Sequence, residues 1–310
     1  MIDDRPFTTE IMLAGPFRQP RQMLAAQEYD GHASIHDEAV AAELGFQGGA
    51  IEGPTHFSQF VPLCYELWGR DWFEHGCLSV HFRNICFEGE EVRALLGRPQ
   101  DGGRQVPVCM EKRDSTEVLR GTASLGPEHP ETALEARLAG LKPPGRLVIL
   151  RDLDIGRQSG PETVVMGAEQ NMGAMYPFSL AQKLEAITEP SPWYAGSSPW
   201  GGAVIPLEMI SVLAHYTSHE AFPVRGPSIG LFADQEVRLH GGPLMMGQEY
   251  TLEREIVAFS ESRRTESYWV ESRFRAADGS LAATMLLNNA VLKESYAAYE
   301  AEAAQAEGGS

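Results

Sequence analysis

Residues 29–39, YDGHASIHDEA, hold two histidines, two aspartates and a glutamate in eleven positions, the densest polar stretch in the first third of the chain. Groups of these types move protons or hold metal ions, because imidazole titrates nearest neutrality and a neighbouring carboxylate biases its proton. His32 and His36 stand four apart, a spacing that suits two ligands of one metal ion on a helix. A third ligand is not evident, so no metal is expected. Ser34 and Asp37 also fit an N-cap and first-turn acid for a helix over 35–44, which gives Asp37 a structural role. A second group lies in GGAIEGPTH, 48–56, where Glu52 precedes an apolar helix and His56 sits in its first turn. Both can project toward the cleft that His36 would face.

These residues need a frame, and the chain supplies one twice. GGAIEGPTHFSQFVPLCYELWG (48–69) and GGAVIPLEMISVLAHYTSH (201–219) each read as a glycine-rich loop leading into a long, mostly apolar helix. Pro54 and Pro206 fall in the first turns, where a missing N–H costs nothing, whereas Pro62 should kink or interrupt its helix. Strand-like stretches follow in both halves, CLSVHFRNICF then EVRALLG, and PSIGLFADQEVRLH then QEYTLEREIVAF. Each half closes on a hairpin, the second with Asp278-Gly279 at its turn. Between them GPEHPETALEARLAGLKPPG, 126–145, reads as a linker with one exposed helix. The expected organisation is residues 1–125 as an N-terminal domain carrying the site, 126–145 as linker, 146–295 as a C-terminal domain, and 296–310 as an acidic tail. A helix that apolar must be covered, and a curved antiparallel sheet covers it, which makes the class α+β.

Composition narrows the partners. A formal net charge of −18 in 310 residues argues against nucleic acid, whose binding rests on lysine and arginine neutralising phosphates. No basic, apolar leader and no long uncharged apolar run is present, so a cytoplasmic protein with no membrane partner is expected. Cys64, Cys77, Cys86 and Cys109 form no C-x-x-C pair and are expected as buried thiols.

The motif around Ile35-His36, the short helix expected after it, and the glycines from Gly49 to Gly53 resemble the MaoC-like (R)-specific enoyl-CoA hydratase and dehydratase family. The likeness covers roughly residues 20–125 well and 146–293 in outline. It implies a double hotdog, two antiparallel sheets each wrapped around a central helix and fused in one chain. It also implies a hydro-lyase that reversibly hydrates an enoyl thioester or dehydrates a 3-hydroxyacyl thioester, with coenzyme A as substrate carrier and no bound cofactor. In this family an aspartate and a histidine five residues later do the acid and base work, and backbone N–H groups at the central helix hold the thioester oxygen.

Carried over by position, His36 takes the histidine place and the backbone N–H of Gly53 or of nearby Thr55 the oxyanion place. Gly31 stands where the aspartate belongs, with Ala33 and Ser34 at the asparagine and proline places. The candidates to replace the acid are Asp30, His32, His56 and Glu52. The corresponding stretch of the second half, AEQNMGAMYPFSL (168–180), has no histidine and no carboxylate after Glu169, so the second half is expected to be a degenerate partner completing the sheet and one cleft wall. Trp193, Tyr194 and Trp200 are candidates for an acyl pocket or for packing between the halves. Arg83, and less directly Arg225 and Arg238, are candidates for the coenzyme phosphates or for ion pairs with carboxylates.

Two further functions fit the same residues. A thioester hydrolase would use Glu52 to activate water, and a non-catalytic or non-thioester ligand-binding double hotdog would leave the aspartate place empty. The expected partner is a small-molecule acyl thioester, and fused halves are compatible with a monomer or with a homodimer of double hotdogs.

Overall fold

A computed structural model describes residues 10–28, 34–36, 42, 48–99, 103–218 and 221–308. Within these residues ten strands form one sheet: β1 Ile11–Ala14, β2 Gly76–Phe82, β3 Val92–Gly97, β4 Gln105–Lys112, β5 Glu117–Leu125, β6 Gln158–Val164, β7 Gly230–Leu239, β8 Tyr250–Glu261, β9 Thr265–Arg275 and β10 Leu281–Leu292. Their order is β1-β3-β4-β5-β2-β7-β10-β9-β8-β6, with every pairing antiparallel. Adding five to each strand number of the first half and reading outward from β2–β7 reproduces the second half. The repeat seen in the sequence is therefore a repeat of topology. The halves meet where β2 pairs with β7, from Cys77 opposite Arg238 to His81 opposite Asp234.

Alternation explains the strands. In β8, Tyr250, Leu252, Arg254 and Ile256 are buried while the residues between them are more open, as expected of a sheet covered on one face. Gly279, at φ 84°, makes the β9–β10 turn that Asp278-Gly279 announces. The helices are shorter than their apolar runs suggest. Residues Gly53–Phe60 form a 3₁₀ helix, and the α-helix proper, α1, is Val61–Trp68, followed by α2, Asp71–His75. Pro62 sits in the first turn of α1. It has no N–H to give to the turn before it, so the α pattern starts there, not earlier.

Further α-helices among the described residues are α3 Ala133–Ala139, α4 Leu180–Ala186, α5 Pro192–Ala195, α6 Met209–His215 and α7 Tyr299–Gly308. The linker helix α3 is not the exposed spacer expected. Its capping box joins Thr132 and Glu135, Thr132 Oγ1 donates to Glu236 at 2.6 Å, Arg137 pairs with Asp234 at 2.7 Å, and Leu134 is fully buried. It straps the β2–β7 junction because the polar groups of that junction need partners. One apolar core runs through both halves, joining Phe57, Phe60 and Leu78 to Ile210, Leu213 and Leu287. The four cysteines are buried and unpaired. Among the described residues no helix is long and apolar enough to cross a membrane.

Candidate functional site

The first positioning element is the strip 49–51. Ala50 N–H donates to Ile35 O at 3.2 Å and Ile51 N–H to Cys86 O at 2.8 Å, so the segment carrying His36 is tied to the lead-in of the 3₁₀ helix. Gly49 allows this approach, since a Cβ there would lie 2.9 Å from His36 O. The His36 ring is fixed as well, with Nδ1 2.7 Å from Ala50 O. A carbonyl only accepts, so Nδ1 carries the hydrogen and Nε2 is the nitrogen left to exchange a proton. Ser34 Oγ accepts from His36 N–H at 3.3 Å, while Asp37 and most of the helix expected over 35–44 lie outside the described residues.

Glu52 and Gly53 follow. A Cβ at Gly53 would lie 2.6 Å from the Phe82 ring and would have to displace it. Gly53 N–H has no acceptor among the described residues. Thr55 N–H already donates to Glu52 O at 3.1 Å, so it does not serve as the oxyanion donor expected of it. Its side chain acts on the glutamate instead. Thr55 Oγ1 donates to Glu52 Oε2 at 2.5 Å and accepts from Lys183 Nζ at 2.9 Å.

Lys183, on α4, and Glu208, just before α6, complete a buried charged cluster. Lys183 Nζ lies 3.2 Å from Glu52 Oε2 and 3.7 Å from Glu208 Oε1, and Ser58 Oγ donates to Glu208 Oε2 at 2.7 Å. Burial opposes charge on all three groups, and one lysine cannot neutralise two carboxylates. For Glu52, burial is outweighed by Lys183, by His36 and by the Thr55 hydroxyl, and its pKa falls below the ordinary value. For Glu208, burial prevails over Lys183 and Ser58, and its pKa rises. Lys183 stays charged, its burial offset by the two carboxylates. Lys183 thus favours the charged form of Glu52, while burial works against that of Glu208.

His36, Glu52, Gly53, His56, Lys183 and Glu208 all line one cavity of about 290 Å³ between the halves. His56 is inside it but is not a proton carrier near neutrality. Burial pushes its pKa down to about 4, and its Nδ1 is buried without a partner among the described residues. Asp30 and His32 lie outside the described residues. Arg83 lines the cavity and is paired with Glu117 at 3.0 Å, the ion-pair alternative read from the sequence.

The acyl-pocket expectation for Trp193, Tyr194 and Trp200 is corrected, because none of them lines this cavity. The loop carrying them folds onto α1 and α2. Trp193 stacks edge-on to Phe73 and Trp200, with ring centres 5.0 and 5.3 Å away, and Tyr194 is in the core. Edge-to-face packing of rings that large holds the halves together. Among the described residues no group of three or more His, Cys, Asp or Glu side chains is placed to hold a metal ion.

Sequence reasoning missed Lys183 and Glu208. The stretch 168–180 stops three residues short of Lys183, which occupies the buried face of α4 with Leu180. For Glu208 a signal was present: it follows Pro206 by two residues, as His56 follows Pro54.

No protein-family model matches the chain, and no curated protein matches it. Solved structures do. A protein from Chloroflexus aurantiacus J-10-fl described as a MaoC domain dehydratase aligns with a TM-score of 0.53 at 13% identity, over 94% of this chain and 96% of that one. A conserved hypothetical protein from Mycobacterium tuberculosis with a double hotdog fold gives 0.56 at 12%, over 92% and 97%. A MaoC-like dehydratase gives 0.50 at 14%, over 90% and 97%. The fold is thus that of MaoC-like dehydratases and double hotdog proteins.

Proposed function

We propose that this chain is a hotdog enzyme acting on acyl thioesters, and that its reaction is the reversible addition of water to an enoyl thioester. The observation that carries this reading is the ionised Glu52 beside His36 on one cavity, in a chain whose usual aspartate place holds Gly31. In the hydration direction the Glu52 carboxylate takes a proton from water as the hydroxyl bonds to the β-carbon. The carbon–carbon π electrons shift toward the thioester, whose oxygen gains negative charge and is stabilised by the Gly53 N–H. Protonated His36 then gives its Nε2 proton to the α-carbon. The proton on Glu52 returns to His36 through solvent, and dehydration is the reverse. Lys183 and Thr55 hold Glu52 in place and anionic.

Thioester hydrolysis is the second reading, favoured by the same anionic Glu52, which would aim water at the carbonyl carbon instead. A mass-spectrometric screen against enoyl-CoA and 3-hydroxyacyl-CoA esters separates the two. A gain or loss of water that disappears in both Glu52→Gln and His36→Ala supports the lyase. Release of free CoA that disappears in Glu52→Gln and survives His36→Ala supports the hydrolase. Neither reaction with any ester at high enzyme loading would leave the ligand-binding alternative standing.

A further inference from the structure

The cavity continues past Glu52 along α6, where Glu208, Ser211 and His215 recur at three- and four-residue steps and so share one helix face. His215 is 9% exposed, and its Nδ1 lies 2.8 Å from Ser211 O. Nδ1 therefore carries the hydrogen, and Nε2 keeps a lone pair with no protein partner among the described residues. Burial holds this imidazole neutral, with its pKa lowered to about 4. Its ring lies 5.5 Å from that of Phe232, which lines the same cavity.

The donors of Arg254, Ser211 and Ser218 are already used. Arg254, itself buried, gives Nε to Ala214 O at 2.7 Å, Nη2 to Thr217 Oγ1 at 2.8 Å, and Nη1 to Glu162. Ser211 Oγ donates to Glu208 O at 3.0 Å and Ser218 Oγ to His215 O at 2.9 Å. What α6 and its arginine leave open is acceptor capacity. A hydrocarbon tail would leave Nε2 buried and unpaired, which is costly, whereas a ligand hydroxyl or amide N–H would satisfy it.

We propose that the α6 end of the cavity is a subsite for a hydrogen-bond-donating group, an alcohol or amide N–H, carried on the distal part of the acyl chain and accepted by His215 Nε2. From Glu208 to His215 the helix rises about 10 Å, so the donor sits several carbons beyond the reacting carbonyl. The subsite deepens the thioester reading and rests on it for the identity of the chain. The polarity of the site makes it selective, because an acceptor-only group such as an ether oxygen gains nothing from a lone pair.

The test uses the full chain and S-alkyl thioethers of coenzyme A and of pantetheine, which can be neither hydrated nor hydrolysed. Over a ladder of chain lengths, matched probes ending in methyl, hydroxyl and methoxy are titrated by calorimetry. At the fitting length the hydroxyl probe is expected to bind about tenfold tighter than the methyl probe, with no gain for methoxy. His215→Phe, which keeps a ring and removes the acceptor, is expected to abolish the preference. Should that variant not fold, the hydroxyl-against-methoxy comparison on the unaltered protein decides. Equal binding of all three endings, a methoxy gain equal to the hydroxyl gain, a preference that survives in His215→Phe, or no binding of any probe overturns the subsite. A hydroxyl preference without turnover in the thioester screen keeps the subsite and sinks the lyase; turnover without the preference does the reverse.

Discussion

The two halves lead into their helices almost identically and then part. Ile51 N–H donates to Cys86 O and Ile205 N–H to Leu244 O, both at 2.8 Å. From there the second half goes directly to Pro206, while the first half adds Glu52 and Gly53 before Pro54. Those two residues are the proposed base and the glycine against Phe82. The second half, expected as a degenerate partner, lacks them and instead supplies Lys183, the cation that lowers the pKa of Glu52, and Glu208, which pairs with that cation. The site is thus divided by role: reactive groups on one half, the electrostatics that set them on the other.

Removing the cross-half cation should break this division most severely. Lys183→Met leaves Glu52 buried without its counter-ion, and urea unfolding is expected to show a loss of about 3–5 kcal/mol together with loss of turnover. The double variant Lys183→Met/Glu52→Gln should recover most of the stability and none of the activity. If the single variant is as stable as the unaltered chain, the cluster does not hold Glu52.

Glu52→Gln should separate the two roles. Turnover is expected to fall by about 10²–10⁴-fold, the usual worth of a positioned acid or base. Stability should change little, because Lys183 then pairs with Glu208, whose pKa comes down from its raised value. A full-speed Glu52→Gln enzyme removes Glu52 from the chemistry.

His56, on the first half, and His215, on the second, should make stability depend on pH in the same way. Each is buried neutral with a pKa of about 4 against an ordinary 6.5, so below 6.5 the unfolded chain takes up protons that the folded chain refuses. Stability is therefore full above that pH and declines as pH falls toward 4, by up to roughly 3 kcal/mol for each histidine. Denaturation curves across that window should flatten in His56→Phe, and flatten again when His215→Phe is added. A curve that keeps its slope in both variants shows that other groups set it.

The smallest effect is expected at the aromatic cluster between the halves. Trp193→Phe should cost under about 1.5 kcal/mol through lost packing and leave KM for every acyl chain unchanged. A chain-length-dependent rise in KM would return Trp193 to the substrate pocket.

Much of this was legible residue by residue. The Asp278-Gly279 turn and the duplicated loop, helix and strand order are set by neighbours a few positions away, so their signals are written locally. The 3₁₀ stretch at Gly53–Phe60 was half legible: Pro62 announces an interruption, but which helical pattern precedes it depends on packing against the sheet. The aromatic loop was ambiguous because rings that line a pocket and rings that pack an interface look alike in composition.

The sequence by itself determined the repeat, the positions of His36 and Glu52 at the head of one half, and the absence of an aspartate at Gly31. Only the tertiary structure decided which groups surround Glu52. Lys183 reaches Glu52 across 131 positions and Ser58 reaches Glu208 across 150. These contacts exist because β2 and β7 pair and bring the two helix starts to one cavity. Whether a buried carboxylate there is charged depends on which cation that pairing delivers, and no local pattern records it.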